Sequence, residues 1–368
     1  MRLRVASSRA QARPTRTTKT TASRRPPARR AGSGTNGELS PRRIAHLAWG
    51  YAPPLIIEAA LEFHVFDLLD QGPRTVGELA AKSGASTRGL TAILNALVGL
   101  ELLARRGARY TLTPESAAFL VSTKPGCHGG FFQHMSRQVV PNWLQLQEAV
   151  RTGKPVMAGN REEQGAEFFA EFVEGLFPVS YRAAQILGEH LGVPKAAKRV
   201  SVLDIGAGSG VWGIALAQQS PHVTVRPVDW PRVLEVTSRM ARQHGVGDRL
   251  DAAPGDLLEA DFGTGHHIAT IGHILHSEGP ERSKLLLRKT FAALAPGGTV
   301  AIGEFVPNDD RTGPPLPLFF AVNMLIHTDS GDAFTFGEIA GWLKAAGFKN
   351  PRQLEAPAPS PLILATRP

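Results

Sequence analysis

The chain of 368 residues contains a single cysteine, Cys127. One thiol excludes an internal disulfide and suits a reducing compartment, so the expected location is cytoplasmic. A role for Cys127 as a nucleophile stands against the plainer reading of a packed or surface thiol. No long apolar run is present, which excludes a helical membrane span. A hydrophobic signal-peptide core is also missing. Acidic residues are absent from positions 1–37, which hold ten of the 41 Lys and Arg residues. The stretch is rich in Arg, Thr, Ser, Ala and Pro and lacks apolar periodicity, so residues 1–38 are expected to form a disordered basic tail. An organellar transit segment, a mis-called start and a loose anion-binding arm all fit that composition. Without the tail, 31 basic residues face 32 acidic ones. The formal charge of +9 therefore says nothing about the active site.

Two phosphate-binding signatures are also missing. The glycines after Val200–Ile205 are spaced Asp-x-Gly-x-Gly-x-Gly, not Gly-x-Gly-x-x-Gly, and no Gly-Lys-Ser/Thr follows. What is present is a buried strand that breaks into a glycine loop and then starts a helix. Val200, Val202, Leu203 and Ile205 form the apolar run. Gly206, Gly208 and Gly210 let the backbone turn sharply and let a ligand come close. Asp204 suits a ligand with an ammonium group or hydroxyls better than one with phosphates. That combination points to S-adenosylmethionine (SAM), against the alternative of a simple tight strand-to-helix turn.

Strand and helix alternate from Lys198 onward. Strands are expected at Val200–Ile205, Val223–Asp229, near Leu250–Ala253, at His267–Leu275 and at Thr299–Glu304. Helices are expected from Pro231 to His244 and from Pro280 to Leu294, the latter stopped by Pro296-Gly-Gly298. A thirty-residue insertion, a helix Phe336–Ala346 and a hairpin around Gln353 and Leu362–Ala365 close the chain. The pattern is a doubly wound α/β sheet with its ligand crevice at the strand ends.

Residues 39–120 read as helical with one hairpin. Thr75-Val-Gly-Glu78 is a capping box. Ser86 caps a helix whose Leu90, Ile93, Leu94, Leu97 and Leu100 form one stripe. Leu102–Leu112 reads as a hairpin around Arg105-Arg-Gly107. Three helices and a hairpin make a winged-helix pattern, which raises DNA binding. The candidate recognition helix offers only Arg88 and Asn95 to a groove, so burial against another helix or subunit is the expectation. Arg105, Arg106 and Arg109 in the wing fit a solvated turn. Residues 121–195 read as connecting helices whose aromatic residues fit core more simply than a substrate pocket, though they could serve both. One holds Trp143, Leu144, Leu146, Ala149 and Val150; another holds Phe168, Phe169, Phe172 and Phe177.

Acidic residues end the strands. Asp229 can accept from both ribose hydroxyls or cap the following helix. Asp256, after Gly255 and before Leu257, can contact an adenine amino group or serve a turn. His276 follows the fourth strand, and Glu304 ends the fifth. Adjacent parallel strands lie about 5 Å apart, so the two side chains can meet. A carboxylate on one imidazole nitrogen fixes the tautomer and leaves the other to accept a proton. His273 and His276 also have the spacing of a metal pair, but no third ligand is evident, though Asp261, His266 and His267 lie upstream. No metal is expected.

The chain resembles the plant and bacterial small-molecule O-methyltransferases of the caffeic-acid and acetylserotonin type over roughly residues 40–368. The resemblance is carried by Val202-Leu-Asp-Ile-Gly-Ala-Gly-Ser-Gly210, Val228-Asp229, Gly255-Asp-Leu257, Ile274-Leu-His276, Pro296-Gly-Gly298, Glu304-Phe-Val-Pro307 and Asn323-Met-Leu325. It implies a Rossmann-like class I methyltransferase domain over 196–368, a winged-helix dimerisation domain over 39–120 and a homodimer. It implies SAM held by Asp204, Gly206, Gly208, Gly210, Asp229, Gly255, Asp256 and Leu257. It also implies a small-molecule acceptor deprotonated by His276, with Glu304 orienting that base. Phe177, Phe319, Phe320, Asn323 and Met324 are candidates for the acceptor pocket. Two departures stand out: Ser277-Glu278 replaces the family's Asp-Trp, and Ala333 occupies the place of a second flanking Glu. These leave S-, N- or C-methylation open. A SAM-binding regulator without catalysis and a subunit needing a catalytic partner are the other readings. Neither nucleic acid nor membrane is an expected partner.

Overall fold

The computed structural model describes residues 39–157, 162–356 and 361–368. The basic tail and the side chain of Phe168 lie outside the described residues. The chain divides into two units, one ending at Gly50 and the other starting at Tyr51. In the first, Arg42–Leu47 is a helix with no buried residue.

The second unit begins with helices Ala52–Glu62, Val65–Asp70, Val76–Ser83 and Thr87–Gly99. Strands β1 (Arg74–Thr75), β2 (Leu103–Arg106) and β3 (Arg109–Leu112) form a small antiparallel sheet in the order β1-β3-β2. Thr75 and Glu78 make the expected reciprocal cap, and Ser86 accepts from Gly89 N. Leu90, Leu94 and Leu97 are buried together with Phe66, Leu79 and Tyr110. Asn95 accepts from the Tyr110 hydroxyl at 2.8 Å, so its amide is tied to the sheet behind it.

Helices Val140–Trp143 and Leu146–Thr152 follow. They are separate, and Leu144 and Val150 are exposed, so the single amphipathic stretch expected there is not formed. The long helix Glu162–His190 crosses Gly129–His134 at a glycine pair. A Cβ on Gly130 would stand 2.6 Å from Gly175 Cα, which explains why neither position carries a side chain.

The main sheet contains β4 (Val200–Ile205), β5 (Val223–Asp229), β6 (Ala253–Pro254), β7 (His266–Gly272), β8 (Leu294–Gly303), β9 (Lys349–Leu354) and β10 (Leu362–Thr366). Their order is β6-β5-β4-β7-β8-β10-β9. Strands β6, β5, β4, β7 and β8 are parallel; β10 runs antiparallel to both β8 and β9. Val202, Leu203 and Ile205 are fully buried, as a central parallel strand covered on both faces requires. The winding reverses between β4 and β7, the kind of switch point beside whose strand C-termini open α/β sheets bind ligands.

Four details differ from the sequence expectation. β8 starts at Leu294, so Pro296-Gly-Gly298 lies within the strand and does not separate it from the helix, and it ends at Gly303, one residue before Glu304. β7 stops at Gly272, because His273 takes a left-handed conformation (φ 61°), and a helix starts at Leu275. His276 therefore lies in a helical first turn, and Gly279 breaks that helix (φ 71°, ψ 173°). The third strand is only Ala253–Pro254, with Leu250 adding a single bridge to Val225. The insertion after β8 contains an apolar helix, Pro315–His327.

Candidate active site

The glycine loop leaves β4 with Gly206, Gly208 and Gly210 all at positive φ (63°, 55° and 76°). A Cβ on Gly206 would meet Ile274 Cδ1 at 2.2 Å, and one on Gly210 would meet Thr237 Cγ2 at 2.8 Å. Both conformation and space demand glycine here. Gly206 N and Ala207 N donate to Val228 O, and Gly255 N (φ 141°) donates to Asp229 O. The loop, the end of β5 and the turn after β6 are thus joined by backbone bonds.

Asp229 accepts from Gly208 N at 2.9 Å through Oδ2 and from Trp230 N at 2.8 Å through Oδ1. It is half-buried, and desolvation raises its pKa to about 6 against those two bonds. Asp204 is placed differently from the expectation. It is 1% exposed, and its carboxylate accepts from Gly213 N at 2.9 Å and Thr270 Oγ1 at 2.7 Å. Burial lifts its pKa to about 6 as well. Alternation along β4 puts this side chain on the face covered by helix Val211–Gln219, so it braces the loop from behind and does not offer a free carboxylate to a ligand. Asp256 accepts from Leu258 N at 2.8 Å and pairs with Arg282 at 2.7 Å. The Leu257 carbonyl accepts from Lys289 Nζ at 3.0 Å.

His276 Nδ1 lies 2.7 Å from Glu304 Oε2, and His276 N donates to Glu304 Oε1 at 3.2 Å. Both residues are buried. Burial works to raise the Glu304 pKa, but the His276 imidazole and its hydrogen bonds bring it below the usual value. A charged Glu304 keeps the proton on His276 Nδ1, so Nε2 is the free acceptor. The third metal-type donor not evident in the sequence is Glu304: donor atoms of His273, His276 and Glu304 lie within 4.8 Å of one another. Burial depresses the His273 pKa to about 4, so this neighbour is neutral.

Phe320 meets the His276 ring edge-on at 4.8 Å and stacks on Phe305 at 3.9 Å. Met324 is buried on the same helix, and Asn323 Oδ1 accepts from Trp143 Nε1 at 2.8 Å. Phe319 is exposed. Phe177 does not join them: it stacks on His244 at 4.4 Å and belongs to the core with Val211 and Trp212. Trp212, buried in that core, sits against two glycines of the sheet. A Cβ on Gly272 would meet its Nε1 at 1.9 Å, and one on Gly303 would meet its Cζ2 at 3.1 Å. Its sequence signal is the pair of glycines that end β7 and β8. A shallow cavity of about 330 Å³ lies at the opposite strand ends, by Val193, Val200 and Thr299, and no carboxylate lines it.

Carboxylates at the β5 and β6 ends, beside a loop of bare backbone, suit a nucleoside carrying positive charge and disfavour phosphates. The donor SAM fits that set. The family profile of the O-methyltransferase dimerisation domain matches residues 45–122, and that of the O-methyltransferase domain matches 143–349. The 3-hydroxy-5-methyl-1-naphthoate 3-O-methyltransferase of Streptomyces sahachiroi is 31% identical over 89% of this chain and 96% of its own length. The SAM-dependent methyl transferase PigF of a Serratia species is 26% identical over 86% of this chain and 93% of its own length. A crystal structure of a candidate O-methyltransferase from Nostoc punctiforme superposes with a TM-score of 0.81 at 30% identity, covering 90% of this chain and 100% of that one. With the glycine loop, the acidic strand ends and the imidazole in one crevice, the chain belongs to the O-methyltransferase family and is a SAM-dependent methyltransferase.

Proposed function

We propose that the protein methylates a hydroxyl of a small aromatic acceptor, with His276 as the general base. The 2.7 Å contact between His276 Nδ1 and Glu304 carries this reading. What the donor supplies when bound is an activated methyl on a sulfonium sulfur, released as a neutral thioether. The chain's residues do the rest. Gly206 and Gly210 let the loop turn tightly against Ile274 and Thr237, Gly208 leaves bare backbone for the donor, and Asp229 offers a carboxylate to its ribose. Gly255, Asp256 and Leu257 border the adenine side, and Asp204 keeps the loop in place.

A phenol has a pKa of about 10 and must lose its proton as it attacks. His276 Nε2 takes that proton, an effect of ~10²–10⁴ in rate. Glu304 stabilises the imidazolium that forms. Phe320 lies against the imidazole, and Asn323 and Met324 follow it on the same helix, so an aromatic acceptor would pack on apolar surface there. Naphthoate is the acceptor named for the Streptomyces relative and has the same character.

The protein works as a homodimer through its N-terminal helices, a reading supported by the dimerisation profile. Among the described residues no helix is long and apolar enough to cross a membrane. The single cysteine suits the cytoplasm. The inward tie of Asn95 leaves its helix poorly equipped to read DNA. A panel of hydroxylated, thiol and amine aromatics incubated with methyl-labelled SAM tests the acceptor class. Label should enter phenols. Transfer to thiols or amines alone would overturn the hydroxyl assignment.

A further inference from the structure

The turn that carries His276 is poorly continued into its helix, because Gly279 breaks the backbone there. Across the break, Glu278 Oε2 accepts from Arg282 Nε at 2.5 Å. The Glu278 side chain is only 10% exposed. The other end of the same guanidinium donates to Asp256 Oδ2 at 2.7 Å. Asp256 stands in the turn after β6, on the donor side, and Glu278 is two residues beyond His276. The two carboxylates repel each other, which adds to the burial that raises the Glu278 pKa. A planar fork with donors at both ends suits this bridge, and a lysine ammonium does not.

We propose that Arg282 is a positioning residue that couples the donor crevice to the turn bearing His276. The inference rests on the donor reading given above. Arg282 keeps Asp256 facing the crevice and, through Glu278, fixes the turn that aims the imidazole. Other ties of this turn include Asp332 N, which donates to His276 O at 2.9 Å, Glu304, which holds the His276 ring and amide, and Ser283 Oγ, which donates to Leu275 O at 3.2 Å across the break. Losing the bridge therefore disturbs two functions at once.

The test uses Arg282→Met, Arg282→Lys, Asp256→Asn and the Asp256→Asn/Arg282→Met double variant. Calorimetry gives the Kd for S-adenosylhomocysteine (SAH), and single-turnover methyl transfer at saturating SAM gives the rate. Thermal unfolding and circular dichroism check each fold. Arg282→Met should weaken SAH about tenfold and also slow the saturated step by about tenfold, the size of an ordinary site-to-site coupling. Arg282→Lys should keep the fold and recover only part of either loss. The double variant should bind SAH no more weakly than Asp256→Asn alone. Arg282→Met within twofold of wild type in both readouts would overturn the proposal. So would losses that multiply in the double variant. Failure of the wild type to bind SAH would instead sink the donor reading itself.

Discussion

Glu304 grips His276 twice, once on the ring at Nδ1 and once on the backbone amide. The ring contact sets the tautomer, and the amide contact sets the turn. Glu304→Gln keeps the shape and removes the charge that opposes the imidazolium. Turnover should fall on the order of 10²-fold, as when a general base loses the carboxylate that orients it. SAH affinity should stay within about twofold, because the proton-transfer pair does not hold the donor. A parallel loss of SAH binding in calorimetry would show that Glu304 is mainly a structural brace.

Asp229 joins the donor side to the glycine loop through Gly208 N. Asp229→Ala removes both that brace and the carboxylate offered to the ribose. SAH binding should weaken by about 10–100-fold, equivalent to one or two charge-assisted hydrogen bonds. Unchanged affinity would place the nucleoside elsewhere.

Asp204 predicts a pH effect on stability. Its folded pKa is raised to about 6 from 3.8. A raised pKa means that the folded state holds the proton more tightly, so the contribution is full below the unfolded value and is lost as pH rises through about 6. Asp204→Asn cannot ionise. The Tm of wild type minus that of the variant should therefore fall between pH 4 and 7. A difference that rises over that range would contradict the assigned burial. Asp229, also at about 6, adds to the wild-type trend and is present in both proteins.

Gly272→Ala drives a methyl to within 1.9 Å of Trp212 Nε1. Overpacking of this kind costs about 1–3 kcal/mol. Thermal unfolding should show a fall of several degrees, and an unchanged Tm would mean that the indole moves aside freely.

The sheet was legible because its strands are short apolar runs closed by glycine or acid. Val200–Ile205 and Val223–Asp229 have the expected bounds. The pairing of β7 with β8 made the meeting of His276 and Glu304 legible, although His276 reaches it from a helical turn and not from a strand end. The end of β7 was not legible, because a left-handed histidine at 273 leaves no compositional mark. The inward aim of Asp204 was hidden for a different reason: strand parity relative to a loop depends on where the backbone first twists away. Phe177 and Phe320 carry the same aromatic signal, yet one packs behind the sheet and the other beside the imidazole. Only tertiary packing separates them. The Glu278–Arg282 spacing of four is visible in the sequence, but the reach of the same guanidinium to Asp256 on another element is not.

Proton removal by His276 is the central step of the proposed transfer. Single-turnover methyl transfer to a phenolic acceptor, compared in wild type and His276→Ala at saturating SAM with SAH affinity measured alongside, tests it. The rate should fall by ~10²–10⁴ while the SAH Kd stays close to wild type. A variant that binds SAH normally and methylates at nearly the wild-type rate would contradict the base assignment and leave alignment alone to explain the transfer.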